Sequence, residues 1–429
     1  MDKNGLLLID VNALRIGLFV ELGLGWMAHP FPSGSFKITH QKQIDTIVGL
    51  GLKQVHYDPA KSDPEQAPLA SSPALPSAHG DAAQAARAQQ EQQKHQLRAD
   101  AWGTQQRSLL ACDRRFADTL RQYRQMAEQA QSQPELAARS AQLVVTAFVG
   151  DLLGQGETTI RLLSDAGTDK AAMHATNVTI LSLLLGRAMG LPESDMLELG
   201  MAAFVHDMGK VSLPERVRWV EENFTSTEIK MHQEHVAASV TLGRSMKLTN
   251  GVLLTVAQHH EWVDGSGFPQ HLAGEKMGVA AKILALVNRF DNLCNPLRVN
   301  AALTPHEALS EMFTRHKAKF DPAVLGAFIR MMGVYPVGSV VQLLDERYAS
   351  VVSNNSSRPL KPSVIVFEAG VPKSEALVVD LEKTPGSGIR KSLKPKDLPA
   401  RAHDYLAPRQ RVNYFYEKAL EAETSSGAE

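Results

Sequence analysis

Two histidine-centred runs carry the chemistry of this chain. One is Phe204-Val205-His206-Asp207-Met208-Gly209-Lys210; the other is Gln258-His259-His260-Glu261, followed by Asp264-Gly265-Ser266-Gly267-Phe268-Pro269. His174 precedes them and His235 stands between them. Neutral imidazole and carboxylate are ligand types that suit divalent transition metals. A vicinal His-Asp can serve two neighbouring ions, because a carboxylate offers two oxygens and can bridge. Two metals about 3.5–4 Å apart are a common apparatus for cutting phosphodiesters. The residue types therefore point to a metal-dependent phosphohydrolase. A lone histidine in apolar surroundings is more often structural than ligating, and among the 15 histidines His232 and His271 read as bystanders.

The elements that must position these residues are helical. Residues 135–333 form a series of helical patterns: Glu135–Leu153, Thr158–Ser164, Ala171–Met189, Glu193–Val205, Ser226–Met246, Gly251–His259, Val279–Leu293, Pro305–Lys317 and Pro322–Met332, punctuated by Pro and Gly. No strand alternation interrupts them, which predicts an all-α bundle whose core can gather side chains from several helices. His174 lies near a helix start, His206 and Asp207 at a helix end, and His235 within a helix. Adjacent residues point about 100° apart on a helix, so His259 and His260 can face one centre only near a helix end, and Asp264-Gly265 follows closely.

Around this bundle the reading is as follows. Residues 1–60 form a small α+β domain, with strands at Leu6–Val11, Phe36–Thr39 and Gln54–Tyr57 and a helix at Gln41–Gly51. Residues 61–100 form a flexible Ala/Gln/Pro-rich linker, and 101–134 a connecting helix with Phe116, Leu120 and Tyr123 at helical spacing. Residues 334–385 form a small β-rich extension with strands at Ser339–Leu344, Tyr348–Ser353, Ser363–Phe367 and Ala376–Leu381. Residues 386–429 form a C-terminal tail with a terminal helix around Tyr414–Leu420. The fold class is mainly α, a helical bundle between a small α+β domain and a small β-rich extension.

Composition excludes several classes. Lys+Arg 45 against Asp+Glu 46 gives no global field for a nucleic acid polymer or a membrane surface. Locally, residues 383–418 hold nine basic residues against three acidic ones and read as a solvated tail rather than a phosphate-binding arm. Two cysteines, Cys112 and Cys294, are no disulfide framework and fit a reducing cytoplasm. The charged start Met1-Asp2-Lys3-Asn4 is a poor signal peptide. Apolar runs such as Ile180–Leu185 are too short to span a bilayer. A cytoplasmic location is expected.

The order of these residues resembles the HD-GYP family of bacterial cyclic di-GMP phosphodiesterases, a branch of the HD phosphohydrolases. The resemblance covers about 170–330. It rests on His174, on His206 through Lys210 with Pro214, and on Thr225 ten residues before His235. His259-His260-Glu261, Asp264 through Pro269 and Phe320-Asp321-Pro322 complete it. The flanks also resemble such proteins. Leu14-Arg15-Ile16-Gly17, Trp26, His29-Pro30-Phe31 and Val55–Asp58 are similar to a domain of unknown function often fused N-terminal to HD-GYP domains. Gly333-Val334-Tyr335-Pro336 is similar to the start of their C-terminal extension.

The resemblance implies two divalent metal ions, Fe or Mn. His174, His206 and Asp207 would hold the first, with Asn288 at the place of the family's last acid; Asp207 would bridge to a second held by His235, His259 and His260. It implies hydrolysis of cyclic di-GMP to pGpG or GMP by a hydroxide held between the metals, with Asp207 and Lys210 as catalytic residues. Lys210, Arg298, Asp264, Gly267, Phe268 and Pro269 would meet the substrate, and the Gly267-Phe268-Pro269 loop would be available to a protein partner. A homodimer is left open.

Four departures from the family pattern bear on this. Asn288 brings no negative charge, and Asp291, one turn on, matches the second acid of the stretch. Lys170 stands where some members carry a Glu for a third metal, so two metals are the expected ceiling. Phe268 replaces a Tyr, and Asn295-Pro296-Leu297-Arg298 keeps one of two arginines. Asn288 and the altered arginine stretch favour an alternative reading, a catalytically weak receptor for cyclic di-GMP or for a protein partner. A third is an HD hydrolase for another phosphate ester.

Overall fold

The computed structural model describes residues 6–22, 35–49, 52, 54–63, 78–154, 158–163, 169–220, 223–355, 361–384, 386–406 and 411–418. The chain divides into two compact units, Met1–Gln90 and Glu91–Glu429.

In the first unit, strands β1 (Leu7–Asp10), β2 (Phe19–Glu21) and β3 (Ser35–Lys37), helix α1 (Gln41–Gly49) and strand β4 (Gln54–Asp58) build an antiparallel sheet of order β1-β4-β2-β3 with one helix. Val11, Leu18, Val20, Ile38, Ile44, Ile47 and Val55 form its core. The expected α+β character holds, and β2 is an addition to it. Trp26 and His29-Pro30-Phe31 lie outside the described residues.

Helix α2 (Ala78–Gln129) begins within the expected linker, because its Ala, Gln and Arg residues are strong helix formers. Only its C-terminal half turns apolar: Cys112, Phe116, Leu120, Tyr123 and Met126 recur every three or four residues and are buried. Helix α3 (Pro134–Leu153) follows. By length and composition α3 could cross a membrane, contrary to the reading from uninterrupted apolar runs, but Ala141, Val145, Phe148, Val149 and Leu152 belong to the main core. Polar Arg139 and Gln142 hid its overall apolar character.

Next comes a strand, β5 (Thr158–Leu162), where a helix was expected. Its five residues alternate, with Ile160 and Leu162 buried, the run is short, and Thr158, Thr159 and Ile160 are β-branched, so strand pairing outweighs helix propensity. Helices α4 (Lys170–Ala188), α5 (Glu193–Val205), α6 (Ser226–Ser245), α7 (Asn250–Gln258), α8 (Val279–Cys294), α9 (Pro305–Thr314) and α10 (Pro322–Met332) agree with the expected spans to within a few residues. Helix α4 is the bundle's centre: every residue from Ala172 to Gly186 is buried.

Strands β6 (Val340–Leu343), β7 (Tyr348–Asn355), β8 (Ser363–Val366), β9 (Val378–Asp380) and β10 (Ile389–Leu393), helix α11 (Ala400–Leu406) and strand β11 (Tyr414–Lys418) close the described chain. The sheet runs β10-β6-β7-β5-β11, with β8 between β7 and β9. Tyr414–Lys418 is therefore a strand on β5 and not a terminal helix. Tyr414, Phe415 and Tyr416 are fully buried, so this stretch of the basic segment is core and not solvated tail. The mainly α bundle with small sheets at both ends is as expected; the strand inside the bundle's sequence is the correction.

Candidate metal centre

Four elements deliver the expected ligands. Asp169 caps α4 by accepting from the Ala172 amide, and His174 follows on the first turns. His206 ends α5, and Asp207 leaves the helix at φ −101° and ψ 2°, which swings its carboxylate off the helix line. A reciprocal cap between Thr225 and Glu228 starts α6, which carries His235. His259 ends α7, with His260 just beyond it. The ligand atoms of His174, His206 and Asp207 lie within 4.8 Å of one another, and so do those of Asp207, His235, His259 and His260. Asp207 belongs to both groups. Its Oδ2 is 3.3 Å from His174 Nε2 and 3.5 Å from His206 Nε2; its Oδ1 is 3.3 Å from His235 Nε2 and 3.7 Å from His259 Nε2.

The other face of each ring explains the orientation. Nδ1 of His206 donates to the Ala203 carbonyl at 2.8 Å, Nδ1 of His235 to His232 at 2.6 Å, and Nδ1 of His259 to Val256 at 2.6 Å. A carbonyl only accepts, so each of these rings carries its proton on Nδ1, and Nε2 of the neutral ring turns a lone pair inward. Two such nitrogens, of His235 and His259, face each other at 3.2 Å. Asp207 Oδ1 and His260 Nε2 are buried with no hydrogen-bond partner among the described residues. Facing lone pairs and orphaned acceptors make a site that a cation completes. The donor set, imidazole with one shared carboxylate, suits divalent transition metals.

The electrostatics agree. Burial pushes His206 down to about 3 and takes His235 and His260 well below their ordinary value, so these rings stay neutral. Burial alone would raise Asp207, but Lys210 and the surrounding imidazoles hold its carboxyl well below the usual range. His174 runs the other way: burial lowers it, but Asp207 and Asp291 outweigh that and raise it. The unfolded chain takes up protons on its histidines below about pH 6.5. Four folded rings, His232 among them, resist doing so while one favours it, so the metal-free protein loses stability as pH falls below that point. The melting temperature of chelator-treated protein is expected to fall from pH 7 to pH 5; a flat profile would contradict buried neutral imidazoles.

Asp291 is an outer partner of the cluster. Its Oδ2 accepts from His174 Nδ1 at 2.6 Å, and its Oδ1 accepts from Asn177 and Asn295, each at 2.9 Å. Both amides also donate to the Val412 carbonyl, Asn295 Oδ1 accepts from the Val412 amide, and Asn177 Oδ1 accepts from the Tyr414 amide. The segment from Val412 into β11 thus helps to hold His174 in place. Asn177 was not singled out by sequence reasoning, and Asn295 was noted only as standing in an altered arginine stretch; the available signal for Asn177 was a polar amide on the apolar helix α4, which needs a buried partner. Asn288 is buried one turn before Asp291, and its Oδ1 accepts from Asn292 at 2.8 Å. Outer-shell changes already move metal affinity by about 10–100-fold. Asn288→Asp is therefore expected to tighten metal binding by about tenfold or more, read by competition with a chelating dye; equal affinity would show that residue 288 is no ligand.

An HD domain model matches residues 157–324, which contain every ligand position described above. The chain carries an HD domain. A domain of unknown function (DUF3391) matches residues 6–141. A cyclic di-GMP phosphodiesterase of Pseudomonas aeruginosa is 27% identical over 374 residues, which are 84% of this chain and 84% of that protein. The cyclic di-GMP phosphodiesterase PdeB of Borreliella burgdorferi is 24% identical over 53% of this chain and 60% of its own length. Among solved structures, an HDG"Y"P protein of Bdellovibrio bacteriovorus aligns with a TM-score of 0.40 at 13% identity, covering 75% of this chain and 98% of that one.

Within the HD domain, the Asp264–Pro269 loop supports the cluster from outside. Glu261, fully buried, accepts from the Gln270 and Leu272 amides at 2.6 and 2.9 Å and pins the loop. A Cβ on Gly267 would lie 2.3 Å from the Trp262 nitrogen, so only glycine lets the loop close this tightly. Phe268 stacks on His260, with centroids 4.5 Å apart and planes at 17°, and so fixes that ring without a hydroxyl. Asp264 is exposed and its Oδ1 accepts from the amide and hydroxyl of Ser266, while Pro269 and Arg298 are exposed. His232 is no mere bystander: its carbonyl orients His235, and its own Nδ1 donates to Val217 at 2.8 Å. His271 is exposed, as expected of a bystander. Lys210 reaches Asp207 Oδ2 at 2.5 Å and lies over the ring of Trp219. Trp219 is a neighbour the sequence reading missed; its signal was one large aromatic in the charged stretch Arg216–Glu222. Lys170 also lies over that indole, and burial, with Arg411 and Lys210 adding to it, pushes its ammonium down to about 7.

Proposed function

We propose that this chain is a metal-dependent phosphodiesterase that hydrolyses cyclic di-GMP to pGpG or GMP, using two divalent ions of the Fe or Mn type. The observation that carries this reading is the shared Asp207 carboxylate, with one oxygen toward His174 and His206 and the other toward His235 and His259. The substrate is inferred from the two relatives named as cyclic di-GMP phosphodiesterases.

His174, His206 and Asp207 would hold one ion; Asp207, His235, His259 and His260 the other. Bound there, the pair supplies Lewis acidity for activating water and for offsetting charge on phosphoryl oxygens. The protein's own part is positional. Backbone carbonyls and Asp291 lock the imidazoles before any ion arrives, so little reorganisation is left to the reaction. Lys210, paired here with Asp207, would donate to a non-bridging oxygen of the scissile phosphate. Phe268 holds His260 in register, and Phe204 and Val205, just before His206 in the chain, are fully buried.

The test is turnover of cyclic di-GMP by full-length protein loaded anaerobically with Fe(II) or Mn(II), beside His206→Ala. Metal-dependent release of pGpG or GMP that His206→Ala abolishes is the expected result. Tight binding of the dinucleotide with no turnover in any metal would overturn hydrolysis in favour of a receptor.

A further inference from the structure

Trp219 lies between the first turn of α4 and the turn after α5, and it carries two ammonium groups. Lys170 Nζ is 4.2 Å from the ring centre and Lys210 Nζ 4.3 Å. The indole also meets His174 edge-on at 6.1 Å, so this cationic patch adjoins the metal centre directly. The two lysines are not equivalent. Lys210 is held by Asp207. Lys170 makes no ion pair with any described carboxylate, and Arg411, from the segment leading into β11, is the foremost charge acting on it, followed by Lys210. Two basic side chains from separated parts of the sequence thus share one indole beside the candidate metal centre, and the charge of Arg411 reaches Lys170 as well. Like charges brought together at a half-buried surface repel, and an arrangement of this kind is stabilised when an anion sits among them. The indole face keeps the Lys170 ammonium in one place without neutralising it.

We infer that Lys170, positioned by Trp219 and backed by Arg411, forms a second anion subsite that holds a phosphate of the substrate other than the one being cleaved. The inference rests on the phosphodiesterase reading and names how the site would select a substrate with two phosphates over a simple diester. Lys170 is a binding residue here and Trp219 a positioning residue.

The test compares wild-type metal-loaded protein with Lys170→Met, which keeps the aliphatic stem against Trp219 and removes the charge, and with Lys170→Arg. Two substrates are used: cyclic di-GMP and bis(p-nitrophenyl) phosphate, which has one phosphate. A charge-assisted hydrogen bond lost from a partly solvated site corresponds to about a tenfold weakening. Lys170→Met is expected to raise KM for cyclic di-GMP by about that factor with a smaller change in kcat. The loss in kcat/KM is expected to be at least several-fold larger for cyclic di-GMP than for the simple diester, and Lys170→Arg is expected to recover most of it. Equal losses on both substrates would mean a merely structural role and overturn the inference. Calorimetric titration of the metal-free proteins with inorganic pyrophosphate gives a readout without turnover: weaker binding by Lys170→Met supports the subsite, and unchanged binding overturns it. If wild-type protein fails to cleave cyclic di-GMP, the functional reading falls while this titration still decides the subsite.

Discussion

Asp207→Asn is expected to strip both halves of the metal centre and to lower phosphodiester turnover by at least about a hundred- to a thousandfold. The substitution changes almost no volume, so the fold should persist. It removes the one negative charge that two groups of imidazoles share: Oδ2 faces His174 and His206, Oδ1 faces His235 and His259, and no other carboxylate belongs to either group among the described residues. An amide offers one acceptor oxygen and turns an NH2 group toward the other set of lone pairs. His206→Ala is the informative comparison, because it removes a ligand from one group only and should leave the His235, His259 and His260 half able to take up metal. Metal content per chain by elemental analysis, with circular dichroism to verify folding, separates the two. Asp207→Asn protein that retains as much metal as wild type would refute the shared-carboxylate geometry.

Gly209→Ala is expected to be as damaging by a different route. A Cβ at this position would lie 2.3 Å from the His235 carbonyl oxygen and 2.3 Å from the Ser239 amide nitrogen, both backbone atoms of α6. Neither can rotate away, so the helix must move, and His235 moves with it. The Gly209 amide also donates to Ser239 Oγ at 2.8 Å, a bond that fixes the turn against α6. Overpacking of this kind costs about 1–3 kcal/mol, and backbone on both sides places it toward or beyond the upper end. The expected result is a melting temperature lowered by several degrees together with weaker metal binding. Ser239→Ala, which loses only the hydrogen bond, should cost about 1 kcal/mol and spare the metal site. If Gly209→Ala melts and binds metal like wild type, the turn does not press on α6 as described.

These two positions mark how far the sequence reaches. The histidines and Asp207 are legible because metal ligation demands specific atoms, and because helix ends leave local signs: Gly209 after one cluster, Asp264-Gly265 after the other, Thr225 with Glu228 ahead of His235. Helix spans are legible for the same reason, since the 3.6-residue period is written into neighbouring residues. Strands β5 and β11 are not. Each is five residues long, and what makes it a strand is a partner more than 250 residues away, Tyr414 beside Leu162 through Lys418 beside Thr158. Local propensity cannot report a pairing that distant.

The same limit applies to what surrounds the ligands. The sequence by itself offered side chains of metal-ligating type and an aspartate able to bridge two ions, because those are properties of residue type, while the assignment of each histidine to an ion came from the order shared with a known family. Only the tertiary structure decided that Asp291 grips His174, that Asn177 and Asn295 tie that grip to Val412, and that Lys170 and Lys210 share the face of Trp219. Hydrogen bonds and cation–π contacts act over a few ångströms. Which groups come that close is settled by how the whole chain packs, and no local pattern contains it.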